Sequence, residues 1–145
     1  IIKNMWLDKG KEITSIEQMP RDAYGFVYLI TCQGSYYIGK KKLTSKRKRR
    51  FGKKEIARLK DKRLKTWEYV VKESDWLKYT GSNKELNNLI KAGCMHQKHI
   101  LEYAFNTKEL TYLEMKHQVI SDVLRDESSF NDNILGKFFA EDFSL

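Results

Sequence analysis

Two short β-type runs separated by a Gln33-Gly34 turn constrain this chain more than any other stretch. Val27, Tyr28, Leu29, Ile30 and Thr31 are β-branched, aromatic or apolar, and Tyr36, Tyr37 and Ile38 mirror them beyond the turn, which predicts an antiparallel hairpin. If Gln33 and Gly34 form a two-residue loop, Cys32 opposes Ser35, Ile30 opposes Tyr37 and Tyr28 opposes Gly39. Cross-strand partners share a face and side chains alternate, so Tyr28, Ile30 and Tyr37 then lie on one face, with bare backbone at Gly39. Val27, Leu29, Tyr36 and Ile38 take the other. A three-residue loop without a bulge would instead put Tyr28 and Tyr37 on opposite faces.

The 145 residues suit one compact domain that buries a core without staples, and 32% charged with 41% hydrophobic residues suits a soluble globular protein. No apolar run approaches the roughly 20 residues of a membrane span, and no signal peptide is visible. The expectation is an intracellular, cytoplasmic protein with no membrane partner. Cys32 and Cys94 show no CxxC spacing, so reduced thiols are expected. Cys94, His96 and His99 lie close together but lack a second ligand pair at zinc-binding spacing. The net charge of +9 points to a polyanionic partner, nucleic acid before membrane, since no amphipathic lipid-binding helix stands out.

Residues 1–24 mix charge with Trp6, Ile13 and Ile16 and read as an N-terminal arm packed against a domain spanning 25–145. From Lys40 to Lys65 lysine and arginine dominate. Thr44 or Ser45 can cap a helix starting near Lys46, where Lys46 and Arg47 would form a phosphate seat, because cations in a first turn oppose the helix dipole unless an anion is present. A charge run is usually a solvated face, but the net charge and the neighbouring hairpin favour nucleic-acid contacts by Lys41, Lys42, Lys46, Lys48, Arg49, Arg50, Lys53 and Lys54. Trp67–Lys72 reads as a strand. Ser82 and Glu85 form a capping box for a helix over Asn83–Lys91, stopped by Gly93. Lys98–Phe105 reads as a strand with Leu101, Tyr103 and Phe105 on one face. Asn106 or Thr107 then caps a helix to about Leu124 with a buried stripe of Leu110, Leu113, His117, Ile120 and Leu124. The fold class is α/β: a small, mainly antiparallel central sheet of about three strands flanked by helices.

The hairpin residues also carry a family likeness. Phe26-Val27-Tyr28, Tyr37-Ile38-Gly39, the lysine Lys40 and the spaced Arg47 together resemble the motifs of the GIY-YIG nuclease family. Phe26 stands where the family has glycine, Gly25 comes one place early, and the basic segment is longer than in the compact family pattern. The resemblance implies a small stand-alone DNA endonuclease of the phage or mobile-element type, acting on double-stranded DNA with Mg²⁺ or Mn²⁺. It implies Tyr37, or Tyr28, as general base, Arg47 clamping the scissile phosphate with Arg49 and Arg50 as alternatives, and Lys40 as a point charge or proton donor. Glu114, in Tyr112-Leu113-Glu114, would hold the metal, and Asn131, or Asn133, would be the late asparagine. The residues fit that chemistry. Glu114 lies about 80° from the centre of the predicted helical stripe, so it can reach the sheet edge while partly shielded. Lys40 and Arg47 beside Tyr37 would favour its phenolate. The competing reading is a non-catalytic basic module that grips DNA or RNA while the tyrosines merely pack.

Overall fold

The computed structural model describes residues 5–61 and 64–143, so Lys62 and Arg63 of the basic segment fall outside it. Gln33 and Gly34 both take positive φ, 54° and 81°, the pair of left-handed residues a tight two-residue hairpin turn needs. The two runs accordingly pair Cys32 with Ser35, Ile30 with Tyr37 and Tyr28 with Gly39, the predicted register. In chain order the strands are β1 (Trp6–Asp8), β2 (Lys11–Ile13), β3 (Gly25–Cys32), β4 (Ser35–Lys42), β5 (Thr44–Arg50), β6 (Trp67–Glu73), β7 (His96–Ala104), β8 (Asn133–Ile134) and β9 (Phe138–Phe139). The helices are α1 (Lys53–Ala57), α2 (Lys84–Lys91) and α3 (Thr107–Ile120).

The main sheet has five strands, in the order β2-β1-β7-β3-β4, rather than about three. Only β1 and β7 run parallel. The strands beyond the expectation are three residues long each, too short for a period-two pattern to register. Residues 6–13 therefore lie in the sheet itself, and Trp6 is fully buried, its indole Nε1 donating to the Trp76 carbonyl at 2.7 Å. Separate two-stranded ribbons form from β5 with β6 and from β8 with β9.

Alternation along the hairpin builds a core on each side of the sheet. Phe26, Tyr28 and Ile30 meet Trp6, Trp76 and Leu86 on one side; Val27 and Ile38 meet Leu110, Leu113, Val123 and Ile134 on the other. The predicted face of β7 is corrected by a bulge: Val27 pairs with Glu102 but Tyr28 with Ile100, leaving Leu101 unpaired. Lys98, Ile100 and Ala104 are buried, whereas Leu101 and Phe105 are exposed. Likewise α3 ends at Ile120, which is exposed, because Asp122 turns the chain with φ 52° and brings Val123 into the core instead. The helix over 84–91 is capped by Asn83, whose side chain accepts from the Leu86 N–H, and not by Ser82.

The cysteines are joined, contrary to the expectation of free thiols. His96 pairs with Cys32 across the sheet, and the left-handed turn at Gly93 delivers Cys94 to the same sheet end, leaving the two Cα atoms 6.5 Å apart.

Lys98 is an unusual core residue. Its ammonium donates to the carbonyls of Leu77 (3.0 Å) and Tyr79 (2.8 Å) and lies 4.4 Å from the Trp6 ring, so it pins the 74–79 turn to β7. Burial pushes its pKa down to about 8. Between that value and the ordinary lysine range the unfolded chain holds a proton that the folded chain has released, so this group's contribution to stability rises with pH across the window. Urea melts of wild type and Lys98→Met from pH 7 to 10.5 should show the wild type gaining about 3 kcal/mol relative to the variant. A gap that does not move with pH would show that the buried ammonium is not titrating.

Candidate active site

The site grows from the open edge of β4. Gly39 carries no side chain because Tyr28 lies across it: an added Cβ would sit 2.5 Å from the Tyr28 hydroxyl and 2.9 Å from Tyr37 Cε2. Tyr28 itself is 1% exposed, packed against Trp6, Phe26, Tyr37 and Tyr79. Burial drives its pKa far above that of a free phenol. The structure thus puts Tyr28 beneath the site as a packing residue.

Tyr37 lies closer to solvent, its hydroxyl 3.1 Å from the Ser82 hydroxyl at the entrance to α2. Burial raises its pKa, the Ser82 bond opposes this, and the charge of Glu114 adds to the rise. Neither Lys40 nor Arg47 supplies the lowering expected from the sequence; in this arrangement the phenol is protonated at neutral pH. Glu114 reaches the same place from α3, which Asn106 caps by accepting from the Glu109 N–H. Its side chain is 16% exposed, burial raises its pKa, and the opposing influence is Lys40, 3.9 Å away. Lys40 Nζ is held by Thr111, one turn before Glu114, at 2.9 Å. Tyr37, Lys40, Glu114, Gln118, Asn131 and Asp132 line one cleft of about 230 Å³.

Asn131 and Gln118 have a structural task at this cleft. Asn131 Oδ1 accepts from the Ile38 N–H at 2.9 Å and its Nδ2 donates to the Ile38 carbonyl at 2.8 Å, where Gln118 Nε2 also donates at 3.0 Å. They satisfy the backbone groups an edge strand leaves open. Both Asn131 polar atoms are thereby committed, so it holds β4 in place between Tyr37 and Gly39. Asn133 instead accepts from the Gly136 N–H.

The basic segment departs from expectation. Lys46 and Arg47 belong to strand β5, not to a helix, because residues 44–50 pair along their whole length with β6, the strand expected over 67–72. No helix N-terminus exists there to seat a phosphate. Arg47 is exposed on this ribbon and is not among the residues lining the Glu114 cleft. Arg49 is tied to Glu55 and Glu68, with two bonds of 2.7 Å. Lys53 and Lys54 lie exposed in α1. Lys41 is held by Asp75 at 2.6 Å and lies 4.0 Å from the Tyr79 ring centre. Together Lys40, Lys41, Lys42 and Lys46 line a groove of about 720 Å³ that meets the Glu114 cleft at Lys40.

Residues 6–135 match the family model described as "Putative endonuclease segE, GIY-YIG domain". The chain belongs to the GIY-YIG family. That places it among nucleases, with nucleic acid as the class of substrate. No curated protein and no solved structure matches it. Among the residues lining the Glu114 cleft, Lys40 is the one basic side chain. Of the residues expected at the site, Tyr37, Lys40, Glu114 and Asn131 line one cleft; Gln118 and Asp132 line it too, and Ser82 and Thr111 bond to Tyr37 and Lys40, though the sequence does not single these four out for the site. Thr111 and Gln118 could have been found, since they stand three before and four after Glu114 on one helix face. Among the described residues no three histidine, cysteine or acidic side chains cluster as a complete metal cage, and no helix is long and apolar enough to cross a membrane.

Proposed function

We propose that this protein is a metal-dependent endonuclease that hydrolyses phosphodiester bonds in double-stranded DNA. The observation that carries the reading is the meeting of Tyr37, Lys40 and Glu114 in one cleft, although Glu114 comes from a helix more than seventy residues further along the chain. The donor set suits a hard cation: Glu114 is a shielded carboxylate with a loose 3.9 Å ion pair, Asp132 lines the same cleft, and Mg²⁺ or Mn²⁺ needs only one or two carboxylates when it keeps its waters. Such an ion, when bound, would neutralise charge on the phosphate and acidify water.

The chain's own residues supply the rest. Tyr37, in its phenolate form, takes the proton of the attacking water as the new P–O bond forms and the old one breaks; Ser82 holds its oxygen in position. Lys40, steadied by Thr111, offers a cation to the phosphate oxygens or a proton to the departing oxygen. Asn131 and Gln118 keep β4 in place, and Tyr28 supports the Tyr37 ring from below.

Conversion of supercoiled plasmid to nicked or linear forms with Mg²⁺, and its arrest by EDTA, tests the activity. The pH profile tests the base. Because burial raises the Tyr37 pKa over that of a free phenol, the active phenolate fraction grows with pH, and the logarithm of the rate should climb from pH 6 to 9. Tyr37→Phe should lower the rate about 10²-fold or more and flatten that climb, as removal of a general base does. An equally steep climb in Tyr37→Phe would assign the proton transfer elsewhere.

A further inference from the structure

Pairing in the β5–β6 ribbon sorts its side chains into two faces. Partners directly opposite share a face and the next pair takes the other. Lys46 with Val71, Lys48 with Tyr69 and Arg50 with Trp67 therefore form one face, and Ser45 with Lys72, Arg47 with Val70 and Arg49 with Glu68 form the other. The second face is partly neutralised, because Arg49 is bound to both Glu55 and Glu68. The first is not. Its one carboxylate, Glu73 at the base of the ribbon, accepts from the Trp76 indole.

On that first face the cations are laid against aromatic rings. Lys46 Nζ lies 4.2 Å from the Tyr69 ring centre, and Lys48 and Lys65 lie 4.3 and 4.7 Å from that of Trp67. The face is also continuous with the site: Lys46 and Val71 line the groove that reaches Lys40, which in turn borders the Glu114 cleft. Its dimensions suit a duplex. Alternate residues on a strand are about 6.7 Å apart, close to the axial rise of two nucleotides at about 3.4 Å each. A two-stranded ribbon also fits the major groove, which is about 12 Å wide.

We propose that the Lys46–Lys48–Arg50 face of this ribbon is a duplex-DNA clamp that lies along the major groove beside the bond to be cut. Its cations meet the phosphates bordering the groove, and Tyr69 and Trp67 face the base edges. The Arg47–Lys72 face points away. The inference rests on the nucleic-acid side of the function proposed above, but its test needs no cleavage.

Binding of a labelled 20-base-pair duplex is measured in EDTA across a salt series for two charge-matched variants, Lys46→Ala/Lys48→Ala and Arg47→Ala/Lys72→Ala. The first should weaken binding more than tenfold at 150 mM salt and reduce the log–log salt slope by about 2, since each phosphate contact contributes about 0.9. The second should change affinity less than threefold. Lys46→Arg/Lys48→Arg should keep the wild-type slope, which separates lost contacts from a damaged ribbon. A bulky C5 substituent on the pyrimidines, which projects into the major groove, should weaken wild-type binding. Equal losses in both alanine pairs, indifference to the C5 substituent, or tighter binding of the single strand with Tyr69→Ala as the most damaging change would each overturn the proposal. A protein that cuts plasmid with Mg²⁺ but shows no difference between faces sinks this inference alone. One that binds through this face and never cuts sinks the nuclease reading alone.

Discussion

Glu114→Gln should lower Mg²⁺-dependent plasmid cleavage by about 10³-fold, the scale lost when a group that stabilises the charge of a transition state is removed, yet leave the fold at least as stable as the wild type. The two halves of this expectation come from the same fact. Burial raises the pKa of Glu114, and the Lys40 cation only partly offsets it. A carboxyl group whose folded pKa lies above its unfolded value is less stable charged in the fold than in the open chain, so its ionised form costs stability above that folded pKa. Glutamine keeps the shape, carries no charge and removes that cost. Lys40 keeps its bond to Thr111. A purely structural glutamate behaves otherwise: its loss would lower the melting temperature, with activity falling in proportion to unfolded protein. Cleavage within tenfold of wild type by folded Glu114→Gln would remove this carboxylate from the chemistry.

The parts of the fold that could be read in advance were those set by local signals. The Gln33-Gly34 turn fixes the hairpin register within a few residues of itself, and the 3.6-residue period of α3 orients Glu114 without knowledge of what it faces. What escaped depends on partners distant in sequence. Residues 44–50 carry no hydrophobic alternation, so their β conformation follows from pairing with residues 67–73, and a possible N-cap at Thr44 was misleading. A lone strand at 67–73 needs a partner, and the basic run is its neighbour; that argument was available from the sequence. The Cys32–Cys94 link depends on where the turn after α2 meets the sheet, and the β7 bulge moves Leu101 out of a face that simple alternation assigns to it. At the site, the same division separates Glu114, read from a helical period, from Ser82, which reaches Tyr37 only because α2 folds over the hairpin.

Gly39→Ala should destabilise the protein by about 2 kcal/mol, in the range of overpacked cores, and lower its melting temperature by about 7 °C. The backbone at Gly39 is not the cause, since its φ is not among the positive ones; the cause is space. The new methyl would lie 2.5 Å from the Tyr28 hydroxyl, 2.7 Å from Tyr28 Cζ and 2.9 Å from Tyr37 Cε2. Tyr28 has nowhere to go. Trp6, Phe26 and Tyr79 pack around its ring at centroid distances of 5.4, 6.4 and 5.9 Å. The strain therefore passes to Tyr37, the one neighbour with a side open to the cleft, so cleavage should fall more than the loss of folded protein explains. Tyr28→Phe offers a specific partner for a double-mutant cycle, because it deletes the atom in closest conflict with the methyl while leaving the ring in place. The pair Gly39→Ala/Tyr28→Phe should be more stable than the sum of the single changes predicts. Strict additivity, or a Gly39→Ala protein that melts and cuts like wild type, would mean that the glycine of Tyr37-Ile38-Gly39 is not there to admit the Tyr28 ring.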